Sequence, residues 1–200
     1  SMYENGTVTS FHGSGGSGQV GIDLLSPSDN IKKGTSPFYS LNDSADYDNG
    51  GNTILNYPVI ESAKIDSANN KLIVKGFARP GSKIEFFIAD QCSNSTFPQG
   101  KEYLFTATEG SASDMDSAFE YYCYCPINGQ IQGDDRTHKF LFEVTLPSGL
   151  DKGECITSTA TKNGHTSEFS GSAEVTDLYA PILPMLYCML DNGDSSYTAI

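Results

Sequence analysis

From Ile54 onward apolar and polar residues alternate with a period of two, and no stretch carries the repeat of an amphipathic helix. Ile84, Phe86 and Ile88 fall on one face of a predicted strand, with Lys83, Glu85 and Phe87 on the other. Phe140, Phe142 and Val144 alternate in the same way with Lys139, Leu141 and Glu143. Residues 72–77 alternate up to the turn signal Pro80-Gly81. Further strands are predicted over 57–65, 101–108, 118–124 and 155–161. Asn163-Gly164 then offers a two-residue hairpin turn, from which 166–175 returns. About eight strands in about 120 residues predict two packed antiparallel sheets, with a closed barrel as the competing architecture.

The rest of the chain is organised around this body. Residues 1–20 include the run GSGGSG at 13–18 and read as a linker or tag. Residues 21–53 form an irregular segment dense in Asp and Asn, the body occupies 54–177, and 178–200 begin with the stiff Ala180-Pro181-Ile182-Leu183-Pro184. Asp191-Asn192-Gly193-Asp194 is a hairpin signal, so the tail reads as the partial first hairpin of a following module. The Ser1-Met2 start and the stop in mid-strand at Ile200 read as the ends of an excised piece of a larger protein.

Composition supports the all-β reading, since Gly, Ser, Thr, Asn and Asp suit short strands joined by many turns. The formal charge is −13, from 25 acidic and 12 basic residues. Nucleic acid is excluded as a partner because no Lys/Arg cluster exists to displace phosphate counterions. No run of roughly 18 apolar residues is present, so no direct membrane insertion is expected. Five cysteines, Cys92, Cys123, Cys125, Cys155 and Cys188, cannot all pair internally. Cys123 and Cys125 lie two apart on a predicted strand and are expected not to bond each other. Pairing of one of them with Cys92 and buried free thiols are the two alternatives.

Several stretches are similar to a known arrangement. Gly21-Ile22-Asp23-Leu24, Asn42-Asp43, the run from Asp46 to Asn52, and Leu55-Asn56-Tyr57-Pro58-Val59 resemble a segment that comes after right-handed parallel β-helix repeats in large secreted bacterial proteins. Ile84-Glu85-Phe86-Phe87, Gly133-Asp134-Asp135-Arg136-Thr137 and Thr159-Ala160-Thr161 resemble the immunoglobulin-like β-sandwich that comes next in those chains. The most specific piece continues from there into Thr166-Ser167-Glu168-Phe169-Ser170, and the likeness spans roughly 21–175. The resemblance implies an adhesin or cell-envelope context, secreted to the cell surface, and a spacer, adhesive or ligand-binding role without catalytic residues.

Candidate chemistry is sparse. Asp43, Asp46, Asp48 and Asn49 supply closely spaced oxygens that calcium could use, although the spacing is not that of an EF-hand. Glu109, Asp114 and Asp116 form a second acidic patch, and Asp134-Asp135 a third. The bland reading of all three is a solvated turn whose side chains cap nearby backbone. Tyr121, Tyr122 and Tyr124 could present rings to a surface glycan or protein, with Tyr122 and Tyr124 on one face and Tyr121 on the other. Cys123, Cys125 and His138 make a further combination for zinc. No GxSxG elbow joins a strand to a helix and no HExxH is present. The expected function is a non-catalytic extracellular structural or adhesive module, rigidified by calcium and partnered by neighbouring modules of its own chain. The alternative is a carbohydrate-binding module accessory to a polysaccharide-degrading enzyme.

Overall fold

Alternation becomes sheet in the computed structural model, which describes residues 18–93 and 97–179 together with the backbone of two later strands. The strands run in chain order as β1 (Val59–Asp66), β2 (Lys71–Ala78), β3 (Lys83–Ala89), β4 (Gly100–Thr108) and β5 (Phe119–Tyr122). The short pair β6 (Pro126–Ile127) and β7 (Gln130–Ile131) is next, then β8 (Asp135–Thr145), β9 (Cys155–Lys162), β10 (His165–Thr166) and β11 (Ala173–Asp177). The tail strands β12 (Met189–Asp191) and β13 (Tyr197–Ala199) pair antiparallel, forming the expected hairpin around turn residues outside the described ones. Of the linker or tag expected at 1–20 and the tail expected at 178–200, residues 1–17 and 180–188 also lie outside the described ones.

One nine-stranded sheet has the order β4-β3-β9-β11-β1-β2-β8-β5, with β10 attached to β9. Four strands separate β3 from β8 in that order, yet Phe86 of β3 meets Phe140 and Phe142 of β8 at 6.0 and 6.2 Å between ring centroids. The sheet is therefore folded over on itself into two facing layers. Ile84, Phe86, Phe140 and Phe142, the faces predicted to be apolar, lie in the core between them with Ile60, Leu72, Val74, Ile156 and Val175. Burying side chains of this size contributes on the order of 2 kcal/mol each. Gly76 of β2 is required at the tightest point, where a Cβ would lie 2.2 Å from the Val59 carbonyl oxygen and 2.6 Å from Phe140 Cζ.

Turn chemistry closes the strands. Pro80-Gly81 forms a turn with Gly81 at φ 74° and the Ser82 amide donating to Arg79 O at 3.0 Å. Asn163-Gly164 has positive φ at both positions and sets Lys162 opposite His165, as a two-residue hairpin requires. The hairpin extends only to Thr166 before the chain leaves it for β11.

The molecule departs from two expectations. The sheet is not purely antiparallel: β11 runs parallel to β1, with Ala63 opposite Val175 and Ile65 opposite Asp177. Both ladder types share the period of two, so alternation does not record strand direction. Cys92 bonds Cys155, at 5.4 Å between Cα atoms, and Cys123 bonds Cys125, at 5.3 Å. Cys92 lies just beyond β3, whose Ile88 pairs with Ile156, so it is beside Cys155; β5 is on the far edge of the sheet. The strand expected to keep Cys123 and Cys125 side by side ends at Tyr122. The Cys125 amide then reaches back to Cys123 O at 2.7 Å in a three-residue turn.

Candidate functional site

Residues 18–57 form a strap laid across one end of the sheet. Tyr39 and Leu41 of the strap pack against a second apolar cluster made by Tyr57, Val59, Phe77, Phe97 and Tyr122. Such a segment has little regular pairing of its own, so side chains must satisfy the backbone groups that it buries. Asn42 is one of several that do so. Its Nδ2 donates to Tyr57 O at 2.8 Å and Tyr122 Oη at 2.7 Å, and its Oδ1 accepts from the Tyr57 amide at 3.0 Å. Its backbone bonds Gln132 O and the Asp134 amide, forming a parallel bridge with Gly133. Gly133 sits at φ 88°, and a Cβ there would lie 2.0 Å from Asn42 O. Burial pushes the Tyr57 and Tyr122 hydroxyls up from their ordinary range, keeping both neutral.

A second knot surrounds Arg79, just past the end of β2. Its Nη1 donates to Asp135 Oδ1 at 2.9 Å, its Nη2 to Ala45 O at 3.3 Å, and its Nε faces Asp46 Oδ2 at 3.5 Å. Arg79 Nε is buried without a hydrogen-bond partner, so that last contact is an ion pair only. Asn56 ties the same groups together, donating to Asp135 Oδ2 at 3.0 Å and to Asp43 O at 2.8 Å. Burial pushes the Asp135 carboxyl up to about 6, against the opposing pull of Asn56 and Arg79. Burial also raises Asp46.

The third point is Glu168, in the chain between β10 and β11 and only 2% exposed. Oε1 accepts from the Leu24 amide at 2.8 Å and Oε2 from the Ser40 amide at 2.6 Å. One carboxyl thus holds the strap at two well-separated places. Burial first, and the charges of Asp23 and Asp29 after it, push Glu168 up to about 7 in spite of the two amide bonds.

The residues singled out from sequence are distributed over these knots and the loops around them. Asp43 and Asp46 belong to the Arg79 knot: Asp43 Oδ1 accepts from the Asp46 amide, and Asp46 Oδ1 from the Asn56 amide, each at 2.8 Å. Asp48 is close enough for their charges to raise it, with burial as the larger cause, and Asn49 lies next to it in the chain. Glu109 is buried, with Oε2 accepting from the Gly81 amide at 2.5 Å and Oε1 3.0 Å from His138 Nδ1. Asp114 accepts from the Gly110 and Leu141 amides and Asp116 from the Ala118 amide, so the second patch staples a loop to β8. Asp134 accepts from Tyr121 Oη at 2.7 Å. Among the described residues no group of three or more His, Cys, Asp or Glu is arranged to hold a metal ion.

The tyrosines divide differently from the expected alternation. Tyr122 is core, tilted on Phe77 at 5.1 Å, and cannot face an outside ligand. Tyr121 and Tyr124 are exposed, as is Phe119. β5 ends at Tyr122 and the Cys123–Cys125 turn follows, so the alternation does not continue to Tyr124. Sequence reasoning passed over Asn42, Arg79 and Glu168 as site residues. Asn42 and Glu168 do lie in the stretches that carry the resemblance, which is the signal that could have pointed to them.

Fold and site together define an all-β module whose N-terminal strap is locked on by buried polar side chains. No family profile matches the chain. No curated protein matches it. Among solved structures it is similar to a "Biofilm associated protein - BSP domain", with 24% identity over 65% of this chain and 16% of that one, at a TM-score of 0.33. The chain thus spans a minor part of that molecule, and a likeness of this size bears on neither activity nor partners.

Proposed function

We propose that this chain is a non-catalytic, tension-carrying spacer in an extracellular multidomain surface protein. The observation that carries the reading is the parallel pairing of the first and last strands of the body. The chain joins β1 at its Val59 end and leaves β11 at its Asp177 end, and these two ends lie at opposite poles of the ladder. Once the strap has been drawn off its anchors, tension between those poles runs along the β1–β11 ladder and loads its hydrogen bonds together instead of one at a time. Disulfides are characteristic of oxidising, extracellular surroundings, and two are present here. The perturbed carboxyls Asp135 and Glu168 are occupied in holding the strap, which supports a structural rather than a catalytic use.

Single-molecule pulling tests this. Handles at the exposed positions Glu61 and Thr176 shear β11 along β1, whereas handles at Asn69 and Thr176 peel the two strands apart from one end. The expected rupture force is several-fold higher for the first pair. Equal forces in the two geometries would remove the spacer reading.

A further inference from the structure

We propose that the strap over residues 18–57 is a proton-operated latch, clamped by Glu168 under mildly acidic conditions and loosened as the pH rises through neutrality. Glu168 is buried, belongs to the body, and takes both of its bonds from strap amides, so releasing the strap is what returns this carboxyl to water. The charged groups acting on it are Asp23 and Asp29, both acidic and both on the strap, and the neutral Tyr57 is also within its reach. Asp23 is itself pressed over Gly34, where a Cβ would lie 2.2 Å from its Oδ2, and its own carboxyl is raised by burial and by Asp29. At the neighbouring knot, Arg79 is paired with both Asp46 and Asp135 and Lys162 of β9 also acts on Asp46, against the four carboxyls of Asp43, Asp46, Asp48 and Asp135. The junction therefore carries more negative charge than its pairs neutralise, and a proton relieves that excess.

The sign is set by linkage. In the open strap Glu168 is solvated and titrates in the ordinary range near 4.5; in the closed strap it is pushed up to about 7. Between those values the closed form binds a proton that the open form lacks, so lowering the pH closes the latch. Above about 7 both forms are ionised, and closing then requires burial of a charge. Opening uncovers the aromatic face of Phe77, Phe97 and Tyr122 while the layered core beneath β2 and β8 stays paired.

Amide hydrogen exchange on the full chain tests the proposal at the two hydrogens that Glu168 holds, those of Leu24 and Ser40. After correction for intrinsic rates, their opening constant is expected to be about 25-fold larger at pH 8 than at pH 5.5. Both amides should also be less protected than Val74 and Phe142 in the core. The E168Q variant should lower the ratio to a few-fold or less. Should E168Q fail to fold, D23N leaves the latch residue untouched and should reduce opening at pH 8 by removing a like charge. A flat or reversed pH trend at Leu24 and Ser40 overturns the latch, as does their exchange in step with the core. Neither result would touch the pulling geometry of β1 and β11.

Discussion

Asn42 shows how much of the strap's attachment rests on one side chain. Its amide group meets the Tyr57 amide, the Tyr57 carbonyl and the Tyr122 hydroxyl, all buried. Removing it leaves these groups without water or a partner, and each orphaned group costs about 1–3 kcal/mol. The expected loss for Asn42→Ala is therefore about 3 kcal/mol in urea unfolding, against about 1 kcal/mol for Tyr122→Phe, where Asn42 keeps its bonds to Tyr57. Equal losses in the two variants would mean that the Tyr122 bond dominates. In the sequence Asn42 belongs to an Asn-Asp-Ser run with the look of a solvated turn. Composition favours that reading because Asn and Asp are usually exposed. Only the fold reveals that this Asn is 4% exposed.

Strands, in contrast, were legible almost one by one. The faces predicted for 84–88 and 140–144 are the buried faces of β3 and β8, with Val144 partly buried at the margin. Pro80-Gly81 and Asn163-Gly164 turn as their residue types require. What escaped was pairing and interruption: β11 beside β1, and the end of β5 just before the Cys123–Cys125 bond. The strap's seat on the body depends likewise on a position whose role the sequence does not advertise. Gly133→Ala would place a methyl group against the Asn42 backbone at a left-handed φ. It should cost about 2–3 kcal/mol, in line with local overpacking. It should also raise binding of a hydrophobic dye by uncovering the second apolar cluster, while near-native sheet content is retained in circular dichroism. Loss of the whole sheet signal would show that strap and body are one cooperative unit.

At the scale of the molecule, charge and burial act in the same direction. Glu168 and Asp135 are raised to about 7 and about 6 from 4.5 and 3.8. Both are protonated in the folded chain before they are protonated in the unfolded one, so stability is greatest at the acidic end of this window and falls as the pH rises through it. The net charge of −13 adds self-repulsion that acid also relieves. The melting temperature is expected to be higher at pH 5.5 than at pH 8 by several degrees, equivalent to roughly 2 kcal/mol. A maximum at or above pH 8 would contradict the burial of these carboxyls.

The amino-acid sequence by itself determined the all-β character, the strand positions, the apolar faces of the core and the turns. Each of these depends on residues close together in the chain, where alternation and backbone preference act directly. Tertiary structure alone decided that β1 and β11 run side by side in the same direction, which cysteines meet, and that the acidic N-terminal segment is a strap. The decisive hydrogen bonds join residues 144 apart, Leu24 to Glu168, and 80 apart, Asn42 to Tyr122. Polar side chains carry no periodic mark of their distant partners, and burial, which makes those partners indispensable, exists only once the layers have closed.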